Sequence, residues 1–284
     1  MPVSFAAITW DVDPVAFEIL GRGIRWYGIF YALSFYVGFL VLDRIFRWEA
    51  KPEADRDKLA VSTIVGAIVG ARLAHVFFYS AADSIYWSEP WRILFIWEGG
   101  LASHGGIIGI AISTYLYSRK RPSQPMLWVG DRLMVAIGFS SVMIRLGNMM
   151  NSEIVGIPTE ASWGFYFVRH LDPAISAVPR HPTGFYEAGA YLIIWIVMLV
   201  TYYKLRERTP RGFLVGLYLT LLFTARFLIE FLKIPQEDYT PLIPGLTTGQ
   251  LLSMPAIALG LFYFSRGVKK LRSKPTKSAA NVSS

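Results

Sequence analysis

Cysteine is absent from the 284 residues. That excludes a disulfide framework, a thiolate zinc site and a cysteine nucleophile, and it leaves the redox compartment unreadable from thiols. Charge is scarce as well: 17% of residues are charged, against a hydrophobic share of 54% and an aromatic share of 15%. Mean hydropathy is +0.41. Soluble domains carry about 25% charged residues, so the composition departs in the direction of membrane proteins. Also missing are a basic stretch ahead of the first apolar run and a small-residue cleavage site behind it, so no removable signal peptide is expected. No internal repeat relates the apolar segments or the positions of Gly and Pro, which weighs against a transporter built from duplicated halves.

What the chain does have is a series of about seven apolar segments, near residues 27–42, 59–79, 93–117 (broken at Gly99 and Gly100), 127–146, 185–203, 213–231 and 248–264. Crossing ~30 Å of hydrocarbon takes roughly 20 helical residues. The pattern predicts an all-α polytopic membrane protein with about seven transmembrane helices. The net charge of +8 resolves into topology. Lys and Arg gather in alternate connections (Arg44 to Lys58, Arg119 to Arg121, Lys204 to Arg211, and the tail from Arg266), while the others hold only Arg22, Arg25, Arg92, Arg169, Arg180 and Lys233. By the positive-inside rule the N-terminus faces outward and the C-terminus is cytoplasmic. No nucleic-acid partner is implied.

Residues 1–272 read as a single membrane-embedded domain. Residues 147–184 form a small irregular head between the fourth and fifth spans, with a short strand over 163–168 and turns at Pro158, Pro173, Pro179 and Pro182. The Lys-, Ser- and Ala-rich residues 273–284 read as a disordered cytoplasmic tail.

Ionisable residues inside spans are functional-site candidates, and their depth can be counted from the cytoplasmic ends. Arg72 lies 13 residues from Leu59, His104 13 from Tyr117 and Arg226 13 from Phe213, each about 20 Å at helical rise. Tyr27 comes out at about 23 Å and Arg145 at about 27 Å on the same count, and Glu230 is one turn beyond Arg226. The inner half has little to match them: Ser62, Thr63, Ser113 and Thr114 are there, but such hydroxyls can bond their own helices. Taken singly, Arg145 would snorkel, His104 would make an interhelical hydrogen bond and Arg226 would pair with Glu230. Taken together they describe a polar cavity open to the outer side, with an excess of positive charge suited to a phospholipid phosphate. Gly99, Gly100, Gly105, Gly106 and Gly109 flank His104 and read either as helix packing or as room for a headgroup.

The stretch IRLGNMMNSEIVG at 144–156 concentrates Arg145, Asn148, Asn151, Ser152 and Glu153, a good oxygen-binding surface in which an arginine fork is joined by two amides. It resembles the signature of the bacterial prolipoprotein diacylglyceryl transferases, Gly-Arg-x-Gly-Asn-Phe-x-Asn-x-Glu-x-x-Gly, matched at Arg145, Gly147, Asn148, Asn151, Glu153 and Gly156. Ile144 and Met149 stand where that signature has glycine and phenylalanine. Similar family stretches follow in order along nearly the whole chain: IRWYG with Tyr27, GARLAHVFFY with Arg72, EGGLASHGGIIG with His104, RHPTGFYEA at 180–188, ARFLIEFLKIP at 225–235 and TGQLLSMP at 248–255. Gly184 replaces a glutamine in the fourth of these and Lys233 an arginine in the fifth.

The resemblance implies an enzyme of the bacterial cytoplasmic membrane, with its active site toward the outer leaflet and no cofactor or metal. Such an enzyme moves the diacylglyceryl group of phosphatidylglycerol to the lipobox cysteine of a prolipoprotein signal peptide, forming a thioether and releasing glycerol phosphate. It further implies His104, Arg226 and Tyr27 as catalytic groups and Arg145, Arg72, Asn148, Asn151, Glu153, Gly156 and Glu230 as the phosphatidylglycerol site. Two other classes would also use buried cations: a transporter or scramblase of an anionic phospholipid, and a structural interaction protein. The first predicts polar residues continuing into the inner half; the second does not need three cations and an imidazole at one depth.

Overall fold

The structure is a computed structural model, and it describes residues 7–80, 85–96, 99–234, 243 and 245–273. Its helices are α1 (Trp26–Trp48), α2 (Glu53–Ala74), α3 (Ile85–Ser88), α4 (Ser103–Arg119), α5 (Met126–Met150), α6 (Pro173–Ser176), α7 (Thr183–Leu205), α8 (Phe213–Ile229) and α9 (Thr248–Ser273). A π turn, His75–Tyr79, continues α2, and short 3-10 turns cover Pro90–Leu94, Arg206–Arg208 and Glu230–Leu232. Apolar runs in lipid have no water for their backbone groups, so they close their hydrogen bonds within helices. Six helical stretches are long and apolar enough to cross a membrane: Trp26–Trp48, Glu53–Tyr79, Met126–Met150, Thr183–Arg208, Phe213–Leu232 and Thr248–Ser273. The protein is an all-α polytopic membrane protein. The third of the expected spans is represented by α4, which at 17 residues is shorter than these six.

Most helices outrun the apolar segments that announce them. α1 reaches Trp48 and α9 reaches Ser273, because charged residues beyond the apolar run remain good helix formers. Of the expected tail, Ser273 closes α9 and 274–284 lie outside the described residues.

The chain divides into two compact units, Leu42–Arg132 and the remainder, with the boundaries falling inside α1 and α5. In the first, α2 and α4 cross closely. A Cβ on Gly66 would come 2.6 Å from the Gly109 carbonyl oxygen, and one on Gly70 would come 2.9 Å from the Gly109 Cα. Gly66 and Gly70 face Gly105 and Gly109 at i,i+4 spacing on both helices, which is how membrane helices bring their backbones together. Three of the glycines near His104 are therefore packing groups, since Gly106 also rests over Ala67 and Ala71. At the charged end of this unit Arg132, fully buried, donates to Glu49 at 2.7 and 3.0 Å and stacks 4.4 Å from the Trp128 ring centre. Removing one member of such a buried pair costs about 3–5 kcal/mol. Arg121 and Gln124 likewise converge on Asp55, at 2.7 and 2.8 Å.

In the second unit α7 packs on α8 and α8 on α9. The Trp195 indole donates to the Val135 carbonyl at 3.0 Å, tying α7 to α5. Short strands, unlike the helices, go unannounced by the apolar segments. β1 (Ile8–Trp10) pairs in parallel with β4 (Phe165–Phe167), and β2 (Val15–Ile19) forms a hairpin with β3 (Arg22–Arg25) directly ahead of α1. β4 falls within the strand expected over 163–168. The β1–β4 pair closes over a core of Met149, Val155 and Phe167, against which Trp10, Phe165 and Phe185 pack. The Trp10 indole caps the Met149 carbonyl at 2.9 Å, answering one of the acceptors left open at the end of α5.

Candidate functional site

α5 ends in an irregular turn that folds its polar residues back over the helix. Ser152 and Ile154 take left-handed backbone angles, with φ of 54° and 56°, a conformation costly for a β-branched residue such as isoleucine. The turn is held by the Glu153 amide on the Asn148 carbonyl at 2.9 Å and by the Thr183 hydroxyl on the Ile154 carbonyl at 2.7 Å. As a result the Glu153 carboxylate accepts from the amides of both Asn148 (3.0 Å) and Asn151 (3.1 Å). Arg145 in turn reaches the Asn148 side-chain oxygen at 3.4 Å.

Beyond the turn the chain threads between two other elements at Gly156. A Cβ there would come 2.6 Å from the His181 carbonyl and 2.7 Å from that of Leu232, so only glycine fits. Bridges pair Gly156 with Lys233 and Pro158 with Arg180. Arg180 itself is buried, donating to the Ile175 carbonyl at 2.9 Å and to those of Ala174 and Gly156. Desolvation lowers its pKa, opposed by the charge of Asp172.

This threading delivers Lys233 to Glu187, which the sequence reading passed over. Glu187, in the first turns of α7, has no exposed surface. It pairs with the Arg145 Nε at 3.0 Å and the Lys233 Nζ at 2.8 Å, and accepts from the Tyr191 hydroxyl at 3.0 Å. Lys233 also pairs with Glu230 at 3.2 Å. Glu230 in turn accepts from the Thr247 hydroxyl at 3.2 Å. Thr247 and Gln250 exchange side-chain-to-backbone hydrogen bonds at 3.0 and 3.2 Å, the reciprocal cap of a helix start, which fixes Thr247 at the head of α9. Glu230 thus pairs with Lys233 and not with Arg226.

Arg226 is the exception. Its charge acts on Glu187 and Tyr191, yet no hydrogen bond or ion pair engages its guanidinium among the described residues. Tyr27, at the start of α1, lays its ring on Gly147, where a Cβ would come 2.6 Å from the tyrosine Cδ2. It lies within the fields of Arg145 and Glu153. The second unit therefore brings together Tyr27, Arg145, Asn148, Asn151, Glu153, Gly156, Arg226 and Glu230 as expected, and adds Glu187 and Lys233. Three cations (Arg145, Arg226, Lys233) meet three carboxylates (Glu153, Glu187, Glu230). The net positive excess expected from the sequence is absent here, and what the site offers an anion is a set of uncommitted arginine donors.

His104 and Arg72 belong to the other unit. His104 stands in the first turn of α4, exposed and without a hydrogen bond among the described residues, so the interhelical bond expected of a structural histidine is not made. Arg72 is 2% exposed and is bound throughout. Its Nε donates to the Ile93 carbonyl (2.8 Å), Nη1 to Gly99 (2.6 Å) and Gly100 (3.2 Å), and Nη2 to Arg92 (2.7 Å) and Phe95 (3.3 Å). A guanidinium has five N–H donors, and all are committed to the backbone, leaving none for a phosphate in this arrangement. Among the described residues no group of three His, Asp or Glu side chains could hold a metal ion.

Residues 14–266 match the prolipoprotein diacylglyceryl transferase family. Three curated relatives carry the name phosphatidylglycerol–prolipoprotein diacylglyceryl transferase. The one from Chloroherpeton thalassium is 43% identical over 269 residues, covering 95% of this chain and 97% of that protein. Those from Porphyromonas gingivalis and Tolumonas auensis are 45% identical over 275 residues and 41% identical over 254, covering 93% and 89% of this chain and 96% and 94% of their own lengths. The order of polar stretches along the chain and a match that runs almost end to end lead to one conclusion: the chain belongs to the prolipoprotein diacylglyceryl transferase family.

Proposed function

We infer that this protein is a phosphatidylglycerol–prolipoprotein diacylglyceryl transferase, acting in lipoprotein maturation as its relatives are named to do. It is a multi-pass membrane enzyme. The acceptor is the lipobox cysteine thiol of a prolipoprotein signal peptide, which accounts for an enzyme that needs no cysteine of its own. α4 serves as a seventh span, the N-terminus lies outside and the C-terminus in the cytoplasm, following the distribution of Lys and Arg. In this reading residues 1–272 are one catalytic domain of the bacterial inner membrane, with 147–184 as its external head and the site opening toward the outer leaflet.

The reaction breaks the bond between the glyceryl carbon and the phosphate oxygen, forms a carbon–sulfur bond and releases glycerol phosphate, while the thiol proton passes to a base. A thiol with a pKa of ~8.5 is only a few per cent thiolate at neutral pH. His104 is assigned to accepting or orienting that proton, which suits an exposed imidazole that has no hydrogen-bond partner among the described residues. The departing phosphate gains a unit of negative charge, and donors aimed where charge develops lower the barrier. Arg226, whose guanidinium is uncommitted among the described residues, is the residue for that task, joined by the outer N–H groups of Arg145. Tyr27 orients a lipid oxygen. Asn148, itself held with Asn151 by Glu153, steadies Arg145, Gly156 gives passage to the segment that carries Lys233 to Glu187, and Glu230 shares the Lys233 charge.

The observation that carries this assignment is the Arg226 guanidinium, which no hydrogen bond or ion pair engages among the described residues, beside charges that are paired. In purified enzyme supplied with phosphatidylglycerol and a synthetic lipobox peptide, the wild type is expected to add one diacylglyceryl mass to the peptide. Arg226→Ala is expected to lower kcat by about 10²–10³-fold, and His104→Gln to lose activity most severely near neutral pH. A His104→Gln enzyme with nearly full turnover would remove the imidazole from the chemistry. Redistribution of lipid across liposomes with no change in peptide mass would favour a transporter.

A further inference from the structure

We propose that Arg72 is a positioning residue for His104: it pins the backbone at 92–95 and at 99–100, just ahead of α4, so that the first turn of α4 holds the imidazole in one place. The proposal rests on His104 acting in the transfer.

Every donor of Arg72 is engaged. Donors of Arg72 reach carbonyls at both ends of the connection, at Arg92, Ile93 and Phe95 and again at Gly99 and Gly100. The guanidinium also lies 4.9 Å from the Tyr86 ring centre, so its plane is clamped as well as its edge. Gly100 has a φ of 72°, and a Cβ there would come 2.6 Å from the His75 ring and 2.7 Å from Arg72 Nη1. The chain therefore runs tight over the guanidinium with no space to shift. Two residues further on, the Ala102 amide donates to the Ala71 carbonyl, next to Arg72 in α2, at 2.9 Å. α4 begins at Ser103, and its Gly105 is packed against Gly70 and Ala74. His104 is thus held between two attachments to one stretch of α2, residues 70–74.

A single cation satisfying five backbone acceptors is a task for the planar fork of arginine. Lysine offers three donors from one atom and cannot span the same carbonyls. A phosphate ligand behaves differently, because lysine keeps the charge that binds the anion. Substitution separates the two roles.

The test compares Arg72→Lys and Arg72→Ala with wild type in the purified full-length enzyme, measuring kcat, KM for phosphatidylglycerol and amide exchange over residues 99–106. Positioning predicts faster exchange there, kcat lower by about 10²-fold in both variants, and KM within about twofold. Added guanidinium ion is expected to restore part of the activity of Arg72→Ala and none in Arg72→Lys. Should Arg72→Ala fail to fold, Gly100→Ala, which displaces the same connection and keeps the charge, is expected to give the same exchange and kcat signature. A raised KM with kcat retained would make Arg72 a phosphate ligand, and unchanged exchange would remove the clamp; either result overturns the proposal. Faster exchange with wild-type kcat overturns the link to His104. In that case, an active His104→Gln enzyme would place the failure in the catalytic reading of the imidazole, and an inactive one in the positioning step.

Discussion

Glu187→Gln is the substitution with the most to say about the charge network. In the native protein the carboxylate has no exposed surface and is shared between two cations, Arg145 at 3.0 Å and Lys233 at 2.8 Å. Breaking a buried pair costs about 3–5 kcal/mol because a charge is left uncompensated. Here the two partners fare differently. Lys233 keeps Glu230 at 3.2 Å, and a glutamine oxygen still accepts from its ammonium, so that side contributes little. Arg145 keeps only the neutral Asn148 oxygen, at a long 3.4 Å. The loss therefore falls near the lower bound, about 3 kcal/mol, or roughly 10²-fold in the folding equilibrium. Chemical denaturation in detergent, followed by the near-UV signal of Trp128 and the buried tyrosines, reads this directly. The transferase assay reads the second consequence: without its anchor the Arg145 fork wanders, and kcat falls even where the protein remains folded. The double variant Glu187→Gln with Lys233→Met removes the surplus cation and is expected to cost less stability than the sum of its parts, while activity stays low. If Glu187→Gln were within 1 kcal/mol of wild type and the double variant additive, the network would be a set of independent contacts and the reasoning wrong.

Two further outcomes follow from the packing and the ion pairs. Gly184 faces the Met149 side chain, where a Cβ would meet Cγ and Sδ at 2.6 Å; Gly184→Gln is expected to destabilise by about 1–3 kcal/mol by overpacking, and Met149→Ala in the same chain to recover part of it, both checked by denaturation midpoint. Asp13 accepts from the Val15 amide at 2.8 Å and pairs with Arg169, which lower its pKa. A carboxylate with a depressed folded pKa stabilises above its unfolded value, near 4, and loses that contribution as pH falls through the folded value. The protection of β1 amides, taken relative to their intrinsic exchange rates, is accordingly expected to fall below about pH 4, and Asp13→Asn to shrink that step, with protection at neutral pH already lower than in wild type.

Much of this site is legible from depth alone. Tyr27, Arg145, Arg226 and Glu230 announce themselves because an ionisable or polar group in an apolar helix has few reasons to be there, and the structure places all four in one unit. The same count applied to the fifth span would have found Glu187, 16 residues from Tyr203 and so at about 24 Å. Lys233 was beyond such counting. It reaches Glu187 only because 155–157 pairs with 232–234, a contact between distant segments that no local pattern encodes. Arg72 shows the converse: its depth marked it as a site residue, but backbone carbonyls carry no sequence signature, so the partners that define its task were invisible. The parallel pairing of β1 with β4 was hidden for the same reason, since its strands are three residues each and are joined across most of the chain.

The balance of charge bears on how the phosphate is handled. A cluster of unpaired cations would bind phosphatidylglycerol tightly before reaction and gain little as the leaving group becomes more negative, because binding that is equal in ground and transition states does not raise kcat. Pairing Arg145 and Lys233 with Glu187 and Glu230 removes most of that standing attraction and leaves Arg226 to respond to the charge that develops. On this reasoning Glu187→Gln, by releasing Arg145, tightens the lipid substrate while slowing its conversion, so a lower KM alongside a lower kcat is the signature that separates a tuned network from a scaffold. A KM that rises with the loss of kcat would assign Glu187 to holding the fold alone.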